Sequence, residues 1–315
     1  MSAPAGPLPP ASVIICSLER PGMLRETVES VLGGDEVPAE IVVIDQSAER
    51  HAWLAGTGPV RGCEIRYHQV VERGVSRARN RGMRVGRGEI LAFLDDDVLV
   101  EPGWLGALLR AVQRMGEQGV ATGRVLEAPS ETPGGFAPAL VAATEPAQYE
   151  GRILRDVLEA GNMAVHRRTL LRLRGFDERL GPGTRFPAGE DNDLGYRLLA
   201  AGCRIGYVPD ATIYHRAWRG PGEYLPLRWR YGVGQGAYYA KHLSLRDRYM
   251  LGRLGRLVRH HLWLSVRRIR RPKAALGHAV YLAGVMRGAA AWGRATRTPS
   301  APASEPSSGP GGRAG

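Results

Sequence analysis

The chain has 315 residues with 43% hydrophobic content and a formal net charge of +12. That is long and apolar enough for a full buried core, and it excludes a disordered or fibrous class. The charge is unevenly placed: residues 1–240 hold 28 Lys plus Arg against 29 Asp plus Glu, whereas residues 241–297 hold 14 against the single acid Asp247. A nearly neutral body with a basic C-terminal segment points to chemistry in the first and surface attachment in the second. Cys16, Cys63 and Cys203 stand at no metal-like spacing, which fits a reducing cytoplasm.

Residues 1–10 lack the basic and apolar regions of a signal peptide and read as a flexible arm. The apolar, β-branched runs Ser12 to Ser17 and Glu40 to Ser47 then read as buried parallel strands. Between them Leu24, Val28, Val31 and Leu32 keep helical spacing over Pro21 to Leu32, stopped by Gly33-Gly34. A third strand is expected over Glu64 to Val70, a helix with outward arginines over Gly74 to Val85, and a fourth strand in "EILAFLDDD". The next helix runs from Gly103 to Met115, and the Pro-, Gly- and Ala-rich Ala128 to Glu150 reads as a long loop bordering the site. A strand and a helix follow, the helix over Arg167 to Leu173. A further helix lies in "GEDNDLGYRLLAAG", and one or two strands lie in "RIGYVPDATIYHR". The alternation predicts an α/β fold with a mostly parallel open sheet, whose ligands gather at the carboxyl ends of the strands.

Three acidic groups fall at such ends. Asp95, Asp96 and Asp97 are consecutive, so they repel one another unless a cation intervenes, and a hard divalent ion with oxygen ligands removes that penalty. On an extended backbone Asp95 and Asp97 would share a face, with Asp96 facing away or toward a second group; a solvated strand end or a helix cap accounts for the triplet equally well. Asp45 closes the second strand, where a carboxylate either shapes a turn or accepts a hydrogen bond from a nucleoside. Glu190, Asp191 and Asp193 open a helix, where capping explains at least one of them and Asp191 is the candidate general base. His215 is a structural histidine or a metal ligand. No phosphate-binding loop, nucleophile elbow or zinc-spaced Cys/His set is present.

Four ordered motifs, "SVIICSLERPGMLRETVESVL", "EIVVIDQS", "GVSRARNRGMRVGRGEILAFLDDDV" and "GFDERLGPGTRFPAGEDNDLGYRLLAAGCRIGYVPDATIYHR", together resemble a bacterial family-2 glycosyltransferase of the GT-A fold over roughly residues 11–235. The resemblance implies a Rossmann-like sheet flanked by helices and a nucleotide-diphospho-sugar donor. It sets Ser17, Glu19, Asp45, Arg79, Asn80, Asp95 and Asp96 near that donor, and Asp97, Asp95 and His215 around Mn2+ or Mg2+. Glu190 and Asp191 match the pair whose aspartate is the base of inverting members. Leu18 replaces the usual aromatic residue of the first motif, and Leu225 stands where processive synthases carry glutamine before Arg228-Trp229, so one or a few sugar additions are expected.

From Met250 to Ile269 apolar residues recur every three or four positions among arginines, and Ala274 to Trp292 forms a second apolar stretch interrupted by His278 and Arg287. Residues 236–297 thus read as a basic amphipathic helical segment for an anionic membrane surface, the second stretch lying in-plane or re-entrant. Helices packed on the body are the other reading. Nucleic acid is disfavoured, since the run has few aromatics and no recognised binding module. Residues 298–315 read as a disordered Pro/Ser/Gly/Ala tail. The expectation is a peripheral enzyme on the cytoplasmic face of the plasma membrane, glycosylating a hydroxyl of a glycan or glycolipid acceptor for cell-surface polysaccharide. The alternatives are transfer to a polyprenyl phosphate, or a non-catalytic basic scaffold binding nucleic acid.

Overall fold

The computed structural model describes residues 7–54 and 58–295. The tail expected over residues 298–315 lies outside the described residues. Nine strands, β1 (Ala11–Ser17), β2 (Glu40–Asp45), β3 (Glu64–Gln69), β4 (Ile90–Asp95), β5 (Val98–Val100), β6 (Gly119–Ser130), β7 (Ala147–Tyr149), β8 (Asn162–His166) and β9 (Arg204–Ala217), form one sheet. Its order is β3-β2-β1-β4-β8-β6-β9-β5, with β7 on β9. The helices are α1 (Pro21–Leu32), α2 (Val75–Val85), α3 (Trp104–Met115), α4 (Arg167–Arg172), α5 (Glu190–Ala200), α6 (Tyr224–Ser244), α7 (Tyr249–Arg267) and α8 (Pro272–Ala295).

The first four strands pair in parallel, as their apolar runs require. Alternate residues of each strand enter opposite layers. Val13, Ile15, Ile41 and Val43 pack with α1 and α3, while Ile14, Val42, Leu91 and Phe93 pack with α2 and α5. After β3 the chain crosses to the far side of β1, so the strand order reverses between β1 and β4. A crevice opens at such a switch point, beyond the strand ends. Register sets Ser17 beside Asp45 and Cys16 beside Asp95 at this rim.

Three expectations need correction. Of the arm expected over residues 1–10, residues 1–6 lie outside the described residues and residues 7–10 are docked: Leu8 packs on the core, and the Pro10 carbonyl accepts the Glu89 and Ile90 N–H groups. The segment after α3 carries β6, a 12-residue strand that runs into the expected loop, and the same loop contains β7. The boundary at residues 235/236 falls inside α6, a helix that joins the body to the C-terminal segment.

The stretch expected in the plane of a membrane is α8, and its small face lies on α6. Gly232 and Gly236 of α6 oppose Gly284 and Gly288 of α8, each pair four residues apart on one helical face. A Cβ at Gly236 would overlap the Val285 carbonyl, and one at Gly288 the Val233 carbonyl, so the backbones meet at a distance only glycine permits. Gly288→Leu is expected to cost about 3 kcal/mol through overpacking against rigid backbone, read as a lowered midpoint in chemical denaturation. No helix among the described residues is long and apolar enough to cross a membrane. Leu251, Leu262, Trp263, Val266 and Ile269 of α7 and its C-terminal turn remain exposed beside Arg256, Arg259, Arg267 and Arg270.

Candidate active site

A cavity of about 550 Å3 sits at the switch point. Its floor is the acidic triplet, and β4 stops at Asp95, so strand alternation ends there. Of the two orientations expected for Asp96, it takes the one toward a second group. It turns into the gap between β1 and α1, only 1% exposed, where Ser17 Oγ donates to Oδ2 (2.7 Å) and Arg20 Nη2 pairs with Oδ1 (3.0 Å). Thr27 Oγ1 donates to the Asp96 and Val98 carbonyls and pins the turn to α1. Burial, with Asp97 alongside, pushes the Asp96 carboxyl up to about 7 despite Arg20.

Asp97 is bound asymmetrically. Its Oδ2 accepts from Arg20 Nη1 (2.6 Å) and Trp218 Nε1 (2.9 Å), with Arg219 Nη2 3.8 Å away, whereas Oδ1 faces only His215 Nε2 at 3.7 Å. Burial raises its proton affinity, but His215, Arg20, the Trp218 indole and Arg219 together hold it below the ordinary carboxylate value. His215 Nδ1 lies 3.2 Å from the Arg216 carbonyl, a contact that favours a proton on Nδ1 and a lone pair on Nε2. No group of three or more His, Cys, Asp or Glu side chains among the described residues is arranged to hold a metal ion.

Arg79 reverses the expectation of outward arginines on α2. It is 4% exposed, and its guanidinium joins Asp95 Oδ1 (2.9 Å), Asp191 Oδ1 (3.2 Å) and Glu190 Oε1 (3.4 Å) while lying 5.3 Å over the Phe176 ring. One cation therefore ties the triplet to the acids that open α5. Burial works against its charge, yet Asp95, Asp191 and Glu190 hold it firmly protonated. Glu190 follows the left-handed N-cap Gly189, where a Cβ would crowd the Gly234 carbonyl of α6. Burial first, then the Asp191 charge, pushes Glu190 up to about 8. Asp191, with its side chain 26% exposed, opens onto the cavity, and burial raises it as well.

The other named residues divide. Ser17 lines the cavity and serves Asp96. Asp45 does not: it is fully buried, accepting from Ser47 N–H and Oγ and from Tyr67 OH, with His51 Nε2 3.3 Å away. Glu19 is exposed above this turn and accepts from Ala48 N–H. Asn80 faces away from the cavity, bridging α2 to the Phe176 backbone and Glu178. Asp193, grouped with Glu190 and Asp191 by sequence, points into the α5–α6 seam, where Lys241, His242 and Arg197 surround it. Burial raises it, but the His242 hydrogen bond and the Arg197 and Lys241 charges carry it down to about 2. A carboxylate depressed by folding stabilises above its unfolded value of about 4 and ceases to as pH falls through about 2. About 2 kcal/mol of stability is thus expected to disappear between pH 4 and 2, and an Asp193→Asn denaturation series should lack that step.

Sequence reasoning overlooked Arg20, Glu159, Trp218, Arg219 and Tyr231. Arg20, Glu159, Arg219 and Tyr231 line the cavity, and Trp218 holds Asp97. Arg20 lies within the first motif and Trp218-Arg219 stand just beyond the end of the fourth, so position in or beside motifs already singled out was the available signal for these three.

A doubly wound half-sheet with an acidic switch-point cavity defines the class, a GT-A glycosyltransferase. The family described as "Glycosyltransferase like family 2" matches residues 9–232, and the chain belongs to it. Among curated relatives, a glucosyl-dolichyl phosphate glucuronosyltransferase of Haloferax volcanii is 34% identical over 101 residues, 31% of this chain and 32% of that protein. A pre-mycofactocin glycosyltransferase of Mycobacterium tuberculosis is 30% identical over 158 residues, 49% of this chain and 32% of that protein. The matched part thus spans about a third of the length of these two relatives. In fold the chain is similar to a mannosyltransferase from Pyrobaculum calidifontis solved with GDP-Man and Mn2+, with a TM-score of 0.59 and 16% identity over 89% of this chain and 87% of the other.

Proposed function

We propose that the protein is an inverting, metal-dependent glycosyltransferase that moves a sugar from a nucleotide-diphospho-sugar to a hydroxyl of a glycan or glycolipid acceptor. The observation that carries this reading is the Arg79 bridge, which holds the carboxylate Asp191 open to the same cavity as Asp95 and Asp97. Relatives and fold neighbours named as sugar transferases, one of them solved with GDP-Man and Mn2+, support it.

The side chains divide the work. Asp191 takes the proton of the attacking hydroxyl as that oxygen bonds to the anomeric carbon and the bond to the diphosphate breaks on the opposite face. Glu190, pushed up to about 8 by burial and then by the Asp191 charge, is mostly protonated at pH 7 and adds little second charge beside it. Arg219 has Nη1 buried without a hydrogen-bond partner near Asp97, and is placed to meet an oxygen of the leaving diphosphate. For a divalent ion the fit is a free carboxylate oxygen, Asp97 Oδ1, facing His215 Nε2 with no hydrogen bond between them, and oxygen with imidazole suits Mn2+. Asp97 and His215 would hold it, with Asp95 as a third donor through Oδ2, the oxygen that Arg79 leaves free. When bound, the ion neutralises charge on the leaving diphosphate. The donor enters beside Ser17, Leu18 and Arg20. Contact of Asp45 or Asn80 with the nucleotide would need both to leave their present partners, so we drop them from the donor contacts.

The exposed apolar side chains of α7 among arginines support peripheral attachment to an anionic membrane. Salt-reversible partition with anionic vesicles, absent with neutral ones, checks this. The catalytic reading is tested by screening UDP-, GDP- and dTDP-sugars for binding with and without Mn2+. Saturable, Mn2+-dependent binding of one class is expected, and no binding of any would contradict it.

A further inference from the structure

The cavity is electrically divided. Asp95, Asp96, Asp97, Glu159, Glu190 and Asp191 line one end. The wall supplied by α6, α7 and α8 is formed by Arg228, Tyr231, Gln235, His261 and Tyr281, and contains no carboxylate. Gln235 is spent on Asn192 and Asp156. Arg228, Tyr231 and Tyr281 keep donor capacity. Arg228 donates through Nε to the Gly277 carbonyl (3.4 Å) and lies 4.6 Å over the Tyr281 ring, yet its Nη2 is buried with no hydrogen-bond partner. A buried, unpartnered guanidinium N–H costs free energy unless a ligand atom satisfies it.

The neighbours fit the same ligand. His261 stacks on Tyr281 at 4.3 Å, and its Nδ1 lies 3.1 Å from His278 Nδ1. Burial, with Arg228 and His278 nearby, lowers His261 to about 3, so the ring is neutral at pH 7 and brings no competing cation. Burial, and after it the Glu159, Glu190 and Asp191 charges, push the Tyr231 hydroxyl up against Arg219, leaving it a protonated donor where the two ends of the cavity meet. Arg20 and Arg79 are each bound to two or more carboxylates, and Arg219, whose Nη1 is also unpartnered, sits at the Asp97 end, so Arg228 is the guanidinium with capacity to spare on the α6–α8 wall.

We propose that the α6–α8 end of the cavity is a subsite for an oxyanion, a phosphate or carboxylate group, carried by the acceptor. The assignment to the acceptor rests on the donor occupying the Asp97 end; the oxyanion site itself does not. The planar, five-donor guanidinium of Arg228 matches either group in a bidentate manner, with Tyr231 and the Tyr281 hydroxyl as further donors.

The test is a calorimetric titration of the full chain with inorganic phosphate and, separately, with glucuronate, each with and without saturating nucleoside diphosphate and Mg2+. Saturable binding of at least one probe is expected, changed less than threefold by the nucleotide, and the tighter probe names the group. Arg228→Gln should weaken it at least tenfold and Arg228→Lys less, with nucleotide affinity and Tm held. Absence of saturable binding, displacement by the nucleotide, or equal binding by a folded Arg228→Gln protein would each overturn the proposal. If Arg228→Gln lowers the Tm, the wild-type competition decides alone. Failure of the nucleotide to bind while phosphate still does would count against the catalytic reading and leave this subsite standing.

Discussion

Asp191→Asn is expected to lower kcat about 1,000-fold while donor affinity stays within about threefold, the range a positioned general base contributes. Asparagine keeps the shape and the Arg79 contact but cannot take a proton. Arg79 retains Asp95 and Glu190, so the site should not collapse. Glu190→Gln should cost far less, because a carboxyl pushed up to about 8 is already mostly protonated at pH 7 and glutamine resembles that form. The pH profile carries the sign. Asp191 works ionised and burial raises it, so kcat/KM should fall on the acid side through a value above the ordinary carboxylate pKa of about 4. That limb should vanish in the residual activity of Asp191→Asn. Equal losses in the two variants would contradict the division of roles.

Asp97→Asn is expected to reduce nucleotide affinity in Mn2+ at least ~30-fold, about 2 kcal/mol, to the level seen with chelator. The argument is the asymmetry of its carboxylate. Oδ2 holds Arg20 and the Trp218 indole, whereas Oδ1 is open toward His215. An amide removes the charge that a cation needs, and it also frees Arg219 to bind diphosphate directly, while Arg20 keeps Asp96. Metal-independent binding should therefore survive. A variant whose Mn2+ dependence equals that of the wild type would remove Asp97 from the metal site.

What the sequence made legible follows from which forces are local. The strands β1, β2 and β4 and the helices α1 and α5 announce themselves because apolar period and turn residues act within a dozen positions. β6 was missed, since "GVATGRVLEAPS" mixes Gly, Thr, Arg and Pro, and its stability comes from pairing with β9, some 85 residues on. Arg79 could not be told from its arginine neighbours on α2, because the acids that draw it inward lie on β4 and α5. Asp45 shows the converse: its strand end was correctly placed, but Ser47, Tyr67 and His51 consume the carboxylate. Asp193 shared a sequence run with Asp191 yet faces the opposite side of the helix turn, into Lys241 of α6, a helix whose start the sequence had left inside the body.

The packed α6–α8 pair, which runs parallel with α7 connecting the two helices, joins these features. Its glycine seam lets the helices approach closely enough to wall the cavity, and the same segment carries the exposed basic face. A substrate-facing wall and an outward apolar, arginine-rich surface thus belong to one packed unit.

The most direct test of the central claim is the anomeric configuration of the sugar first released. With the donor identified by the binding screen and Mn2+ present, slow hydrolysis or transfer followed by 1H NMR should give the anomer opposite to that of the donor before mutarotation mixes the two. First appearance of the retained anomer would contradict the single-displacement account built on Asp191.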